Sequence, residues 1–335
     1  MEQRGRIEMT GNTILEVKEA SISYVTRKEK IDAVRKVSLT LEKGSITGLV
    51  GESGCGKSTL ATIFLKLIYP PARIQEGSLY YHGNSEVVNV LDMKPPDLRR
   101  YRWKEVSMIF QGSMNSLNPV MRISDQITDV MIDHDYTFQE AMQRVDPLLE
   151  QAGISKRVKN LYPHELSGGM KQRVNIAIAL ACEPKALIAD EPTTALDVVV
   201  QSQITRKLES LRKNLGLSIL FISHDISLVG AIADRIAVMY AGKIVEVGKV
   251  DDILSNPFHQ YTIALLASIP TLKRVEQKIS GIPGHPPRLN GPIQGCSFAD
   301  RCAKVQKQCR YEEPVLEAVE GDHYAACFFP GGSVK

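Results

Sequence analysis

The chain has 335 residues, 43% of them hydrophobic, enough for one large domain plus an extension or for two modest domains. Its 41 basic residues against 38 acidic ones give a net charge of +3, too even for the electrostatic footprint of a nucleic-acid or membrane-surface binder. No apolar run approaches the roughly 20 residues that cross a bilayer, and residues 1–6 lack the apolar core of a signal peptide, so a cytoplasmic chain is expected.

Residues 1–12 read as a polar tail. Residues 14–25 and 33–41 read as strands around a charged loop at 27–30. Tyr24 is the only aromatic side chain before position 51. It either stacks on a flat ring or packs on the core from a strand face. Residues 46–50 form a short apolar strand, and residues 57–68 read as a helix ended by Pro70-Pro71.

Between that strand and that helix stands Gly51-Glu52-Ser53-Gly54-Cys55-Gly56-Lys57-Ser58-Thr59, a full match to the phosphate cradle G-x-x-x-x-G-K-[ST]. Glycines let the backbone turn its N–H groups inward, and the helix N-terminus adds the positive end of its dipole. Gly51, Ser53, Gly54, Cys55, Gly56, Lys57, Ser58 and Thr59 are therefore the expected nucleotide contacts. Lys57 would reach the β- and γ-phosphates, and Ser58 would hold Mg²⁺.

Residues 77–81 and 86–91 read as a hairpin across His82-Gly83-Asn84, and 97–104 as a charged helix. A buried strand at 106–110 ends at Gln111. From 112 to about 182 the apolar period becomes helical, as in 123–132 and 138–152, which marks a helical insertion. Two apolar strands follow, 186–189 ending in Asp190-Glu191 and 218–222 ending in Ser223-His224-Asp225, with a helix over 198–215 between them. Such alternation predicts a parallel, doubly wound α/β core, with ligands at the strand C-termini. A hairpin over Ala241-Gly242 (235–248) and a helix over 251–268 come next. A connector rich in proline and glycine, from Pro270 through Pro292, leads to a cysteine-rich tail beginning at Gly295.

Asp190 suits a Mg²⁺ ion or its waters, and Glu191 can polarise an attacking water. Leu166-Ser167-Gly168-Gly169-Met170 opens a helix, where a hydroxyl and unpaired N–H groups make a second anion site.

These stretches, together with Gln111, Thr194-Ala195-Leu196-Asp197 and His224, stand in the order seen in the ATP-binding-cassette (ABC) family, which the chain resembles over residues 12–255. The resemblance implies a P-loop ATPase core with an antiparallel β subdomain, the helical subdomain at about 112–182, and ATP with Mg²⁺ as ligands. It implies adenine stacking for Tyr24 and catalytic roles for Glu191, Gln111 and His224. Gln111 would sense Mg²⁺ and the γ-phosphate, and His224 would contact the γ-phosphate and position the water. Ser167, Gly168 and Gly169 would grip ATP held by a second ABC ATPase subunit, identical or paralogous. Met170 and Thr194 depart from the commonest family residues, Gln and Ser, without removing a group that hydrolysis needs. Cys55 is expected to be a small filler with an alkylation weakness, and Cys182 a core thiol.

Residues 256–335 form the expected C-terminal extension. Its connector and Cys296, Cys302, Cys309 and Cys327 resemble the tail of dipeptide and oligopeptide importer ATPases; nickel importers share parts of it. Spacings of five, six and seventeen residues match neither zinc pairs nor ferredoxin runs, so spacing leaves zinc and iron–sulfur both open. Similarity to the peptide-importer tail implies one 4Fe–4S cluster, with Zn²⁺ as the alternative. It also implies two membrane permease subunits, an extracytoplasmic peptide-binding protein acting indirectly, no nucleic acid, and a peripheral place on the cytoplasmic face of the membrane. A nickel or other small-solute importer ATPase is the alternative, followed by a cassette ATPase acting on nucleic acid or the ribosome.

Overall fold

A computed structural model describes residues 12–83, 86–269 and 281–331. The start of the polar tail, Asn84 of the hairpin loop and Pro270 of the connector lie outside the described residues.

Two sheets organise the chain. The first is antiparallel, in the order β2-β1-β4-β5, from β1 (Thr13–Val25), β2 (Lys30–Glu42), β4 (Ala72–His82) and β5 (Val87–Asn89). This is the expected antiparallel subdomain. The second has eight strands, in the order β11 (Glu317–Glu320), β12 (His323–Ala325), β10 (Lys243–Lys249), β9, β3, β8, β7, β6. Its centre is parallel: β9 (Arg235–Tyr240), β3 (Ile46–Val50), β8 (Ser218–Ser223), β7 (Ala186–Asp190) and β6 (Val106–Ile109). Every residue of β3, β7, β8 and β6 is buried, as continuous apolar runs covered on both faces require. One apolar cluster joins the inner face of the antiparallel sheet to helix α1 (Lys57–Ile63), and a second fills the other side of the parallel sheet and the helical insertion.

The insertion contains α3 (Ile123–Ile132), α4 (Phe138–Gln151) and α5 (Gly168–Ala179). In α3, Ile123, Ile127 and Met131 recur at one-turn spacing and are buried. Thr137 and Glu140 form a reciprocal capping box at the start of α4. Helix α6 (Val198–Leu215) is capped by Asp197, which accepts from Val200 N–H, and ends at Gly216 in the left-handed region. The short α7 (Ile226–Gly230) is capped by Asp225.

Several boundaries differ from expectation. Helix α1 stops at Ile63, five residues early: the Phe64 N–H bonds Ala61 O, tightening the last turn, and Lys66 takes a positive φ of 50°. Helix α2 (Pro95–Lys104) is broken inside by Arg102 and Trp103, whose φ of 71° no α-helix contains. The helix expected over 251–268 is two, α8 (Val250–Ser255) and α9 (Gln260–Ala267). Pro257 removes an N–H and disfavours helical backbone at Asn256, which sits at φ −136°, ψ 61°.

The extension does not stand apart. Strand β12 (His323–Ala325) pairs with β10 (Lys243–Lys249), and β11 (Glu317–Glu320) pairs with β12, so the tail continues the main sheet. Phe298 joins the main core.

Candidate functional site

The loop after β3 curls around the N-terminus of α1. Gly54 and Gly56 have φ of 80° and 106°, and a Cβ on Gly56 would stand 2.2 Å from the Ala33 carbonyl oxygen, so only glycine fits there. The ammonium of Lys57 folds back into the loop and donates to the carbonyls of Gly51 (2.7 Å) and Glu52 (3.0 Å). Ser53, Gly54, Gly56, Lys57, Ser58 and Thr59 line an open cavity with Tyr24, Ile31, Ala33, Gln111, Glu191 and Leu289. The hydroxyls of Tyr24 and Thr59 lie 3.1 Å apart, which ties the aromatic ring to the loop.

Gly51 and Cys55 do not line that cavity. Cys55 is buried in the apolar cluster, and burial pushes its thiol up despite the nearby Lys57 ammonium. The expected alkylation weakness at Cys55 is therefore corrected: the thiol is both covered and poorly ionised. Cys182 is a buried core thiol, and burial pushes it up to about 11.

Asp190 ends β7, only 2% exposed. Burial pushes its carboxyl up, against the opposing influence of the Ser58 hydroxyl beside it. Its Oδ1 has no hydrogen-bond partner among the described residues. An orphaned buried carboxylate oxygen next to a hydroxyl, at the lip of a phosphate loop, is a donor set that suits a hard divalent cation.

Glu191 follows in a positive-φ conformation (47°) and is held by its N–H to Ile222 O at 3.0 Å. Its carboxylate is a meeting point. Gln111 Nε2 donates to Oε2 at 3.2 Å, the Thr194 hydroxyl donates to the same oxygen at 2.8 Å, and His224 Nδ1 lies 3.5 Å from Oε1. Gln111 and His224, from distant segments, thus converge with the neighbouring Thr194 on one acid at the cavity edge.

Ser167 caps α5, accepting from Met170 N–H at 3.3 Å. Ser167 and Gly168 are exposed, and neither they nor Gly169 line the cavity. A Cβ on Gly169 would stand 2.8 Å from Val200 Cγ1, so this glycine also permits close packing on α6. The stretch expected to form a second anion site is therefore largely exposed and forms no part of this chain's own phosphate-loop cavity.

Residues 34–194 match the family model "ABC transporter", and residues 245–309 match "Oligopeptide/dipeptide transporter, C-terminal region". The oligopeptide transport ATP-binding protein OppD of Bacillus subtilis (strain 168) is 45% identical over 317 residues, 93% of this chain and 87% of that one. The chain belongs to the ABC transporter ATPases. The dipeptide transport ATP-binding protein DppD of Lactococcus lactis subsp. cremoris (strain MG1363) is 42% identical, covering 95% and 91% of the two chains. Among solved structures, the dimeric ABC transporter cassette MJ0796 aligns with 71% of this chain and 99% of its own, at a TM-score of 0.62 and 28% identity. The cassette fold and ATPase activity follow from that membership.

In the extension, Cys296, Cys302, Cys309 and Cys327 line one cavity with His259, Phe298 and Pro314. All six cysteines of the chain are free. Among the described residues, however, no group of three or more His, Cys, Asp or Glu side chains is placed to hold a metal ion. The four thiols are gathered around one space but not drawn into a ligand set. Among the described residues, no helix is long and apolar enough to cross a membrane.

Nothing in the sequence marks Ile31, Ala33 or Leu289 as lining this cavity. Leu289 arrives from the connector and is pinned there by the Asp32 N–H, which donates to its carbonyl at 2.8 Å. No local pattern marks such a long-range contact.

Proposed function

We propose that this ABC ATPase powers import of dipeptides or oligopeptides through two separate membrane permease subunits, at the cytoplasmic face of the membrane, supplied by an extracytoplasmic peptide-binding protein. What carries the reading is the presence of both matched regions in one chain: the cassette at 34–194 and the peptide-transporter C-terminal region at 245–309. The cassette occupies about residues 12–255, with its helical subdomain at about 112–182, and the extension the remainder.

In this reading ATP lies in the cavity against Tyr24, its phosphates in the 51–59 loop. Ser58, Asp190 and Gln111 would hold Mg²⁺, which supplies charge neutralisation at the phosphates. Lys57 leaves its carbonyl partners for the phosphate oxygens. Glu191 accepts the proton of the attacking water, while Gln111, Thr194 and His224 hold that carboxylate in place. Ser167, Gly168 and Gly169 complete the site of a second ATPase subunit. The exposure of Ser167 and Gly168, and the absence of all three from this chain's own cavity, support that assignment.

We also assign the four tail thiols to one 4Fe–4S cluster. Four free cysteines around one cavity match the donor chemistry of such a cluster, and zinc is the competing occupant.

The transport reading is tested by reconstituting the chain with peptide permease subunits in vesicles, with a peptide-loaded binding protein outside. ATP-driven peptide accumulation is expected, with none when nickel replaces peptide. Hydrolysis coupled to nickel uptake but not to peptide would overturn it.

A further inference from the structure

Arg301 of the extension reaches the phosphate loop. Its Nη1 donates to Glu52 Oε2 at 2.6 Å and its Nη2 to Glu52 Oε1 at 2.9 Å, a two-pronged pairing of guanidinium and carboxylate. The remaining donors are also used: Nε to Pro283 O (2.9 Å), Nη2 to Ile282 O (3.1 Å) and Nη1 to Tyr240 OH (3.3 Å). The Arg301 side chain is 4% exposed, and the guanidinium lies 5.8 Å from the Tyr240 ring centre and 5.9 Å from that of Phe298. Below it, the fully buried Tyr261 accepts the Glu52 N–H at its hydroxyl, 2.9 Å away.

Glu52 is the second residue of the loop, and all its polar groups are engaged. The extension holds its N–H and its carboxylate, while its carbonyl receives the Lys57 ammonium. A carboxylate so close to an anion site has a cost unless its charge is neutralised. The only side chain seen paired with it among the described residues is Arg301.

We infer that Arg301 is a positioning residue for nucleotide binding: it fixes the entry of the phosphate loop through Glu52 and screens that carboxylate from the bound phosphates. The inference rests on nucleotide binding at 51–59, and the wild-type measurement checks that reading separately. Arg301 lies in a short turn, Ala299–Arg301, between Cys296 and Cys302. The tail and the loop are thus one mechanical unit, whereas the sequence alone treats them as separate.

The test is calorimetric titration of the full chain with MgADP, in wild type, Arg301→Met, Glu52→Gln and the double variant. Arg301→Met leaves a partly buried carboxylate unpaired beside the phosphates, and about a tenfold rise in Kd is expected. Glu52→Gln removes the bridge and the charge together, so only about a twofold to threefold rise is expected. Adding Glu52→Gln to Arg301→Met should recover most of the lost affinity. A purely structural bridge would instead make the two single variants equal and give the double variant no advantage. That pattern, or an Arg301→Met Kd within twofold of wild type, overturns the inference. If Arg301→Met does not melt cooperatively, Arg301→Lys takes its place: it keeps the charge but not the fork, and about a threefold weakening is expected. An unchanged Kd there overturns the inference as well. Failure of wild type to bind MgADP would defeat the site assignment itself.

Discussion

Glu246 and His323 meet in the interior: His323 Nε2 lies 2.7 Å from Glu246 Oε1, and the two side chains are 3% and 0% exposed. The same carboxylate accepts the backbone N–H groups of Phe258 (2.7 Å) and His259 (2.9 Å). One acid on β10 therefore holds both the start of α9 and the last strand of the tail. Removing it leaves three buried polar groups without their partner. Glu246→Ala should destabilise the chain by about 3 kcal/mol or more. Urea unfolding would measure this, and limited proteolysis should cut the tail first. A loss below about 1 kcal/mol would show that the carboxylate is not the anchor.

Glu191 receives Thr194 from its own turn and Gln111 and His224 from two other segments. Glu191→Gln keeps the shape and most of the hydrogen bonding but removes the basic group. Turnover should fall about 10²–10⁴-fold, the usual contribution of a general base, while nucleotide binding persists. The variant should accumulate as an ATP-bound dimer on gel filtration. An ATPase rate within twofold of wild type would remove Glu191 from the mechanism.

The exposure of Ser167 and Gly168 has a kinetic consequence. A complete site would need the α5 N-terminus of another subunit, so specific activity of the isolated chain should rise with protein concentration, or on adding a partner cassette. Ser167→Ala should cost about 1 kcal/mol through the lost cap but suppress turnover far more. Activity strictly proportional to the concentration of a proven monomer would contradict the shared site.

Cys55 should resist a maleimide even without nucleotide. Its thiol is covered by the core, and burial holds it protonated at neutral pH, where the reactive thiolate is scarce. Mass spectrometry of briefly labelled native protein should find the adduct elsewhere first. Rapid modification at Cys55, blocked by ATP, would reverse this conclusion.

What could be read from the sequence was whatever a local pattern encodes. The loop from Gly51 to Thr59 is contiguous, so its glycines and its lysine announce themselves. Asp190 and Glu191 are legible because they end an apolar strand, whereas the role of His224, though it too follows a strand, comes only through the family resemblance. Arg301 was not: its partner Glu52 lies 249 residues away, and no periodicity links them. The same holds for β12, whose pairing with β10 makes the tail part of the main sheet. The break at Pro257 is masked in the sequence because the apolar period resumes after it, and while the clustering of four cysteines in the tail is visible there, the single cavity they line is not.

Cys296, Cys302, Cys309 and Cys327 surround one space, yet as free thiols they do not close into a ligand set. Thiolate ligands crowd together only when a cation offsets their mutual repulsion, so the bound group would itself draw the site closed. Protein made without oxygen should be brown, with about four iron atoms per chain, as Cys₄ ligation of such a cluster implies. Replacing any one of the four by Ser should release iron and lower the unfolding temperature. Because Arg301 adjoins Cys302 and grips Glu52, these variants should also weaken MgADP binding, most of all Cys302→Ser. Colourless protein holding one zinc per chain under those conditions would assign the site to zinc instead. Full MgADP affinity in a Cys302→Ser variant that has lost its metal would separate the cavity from the phosphate loop.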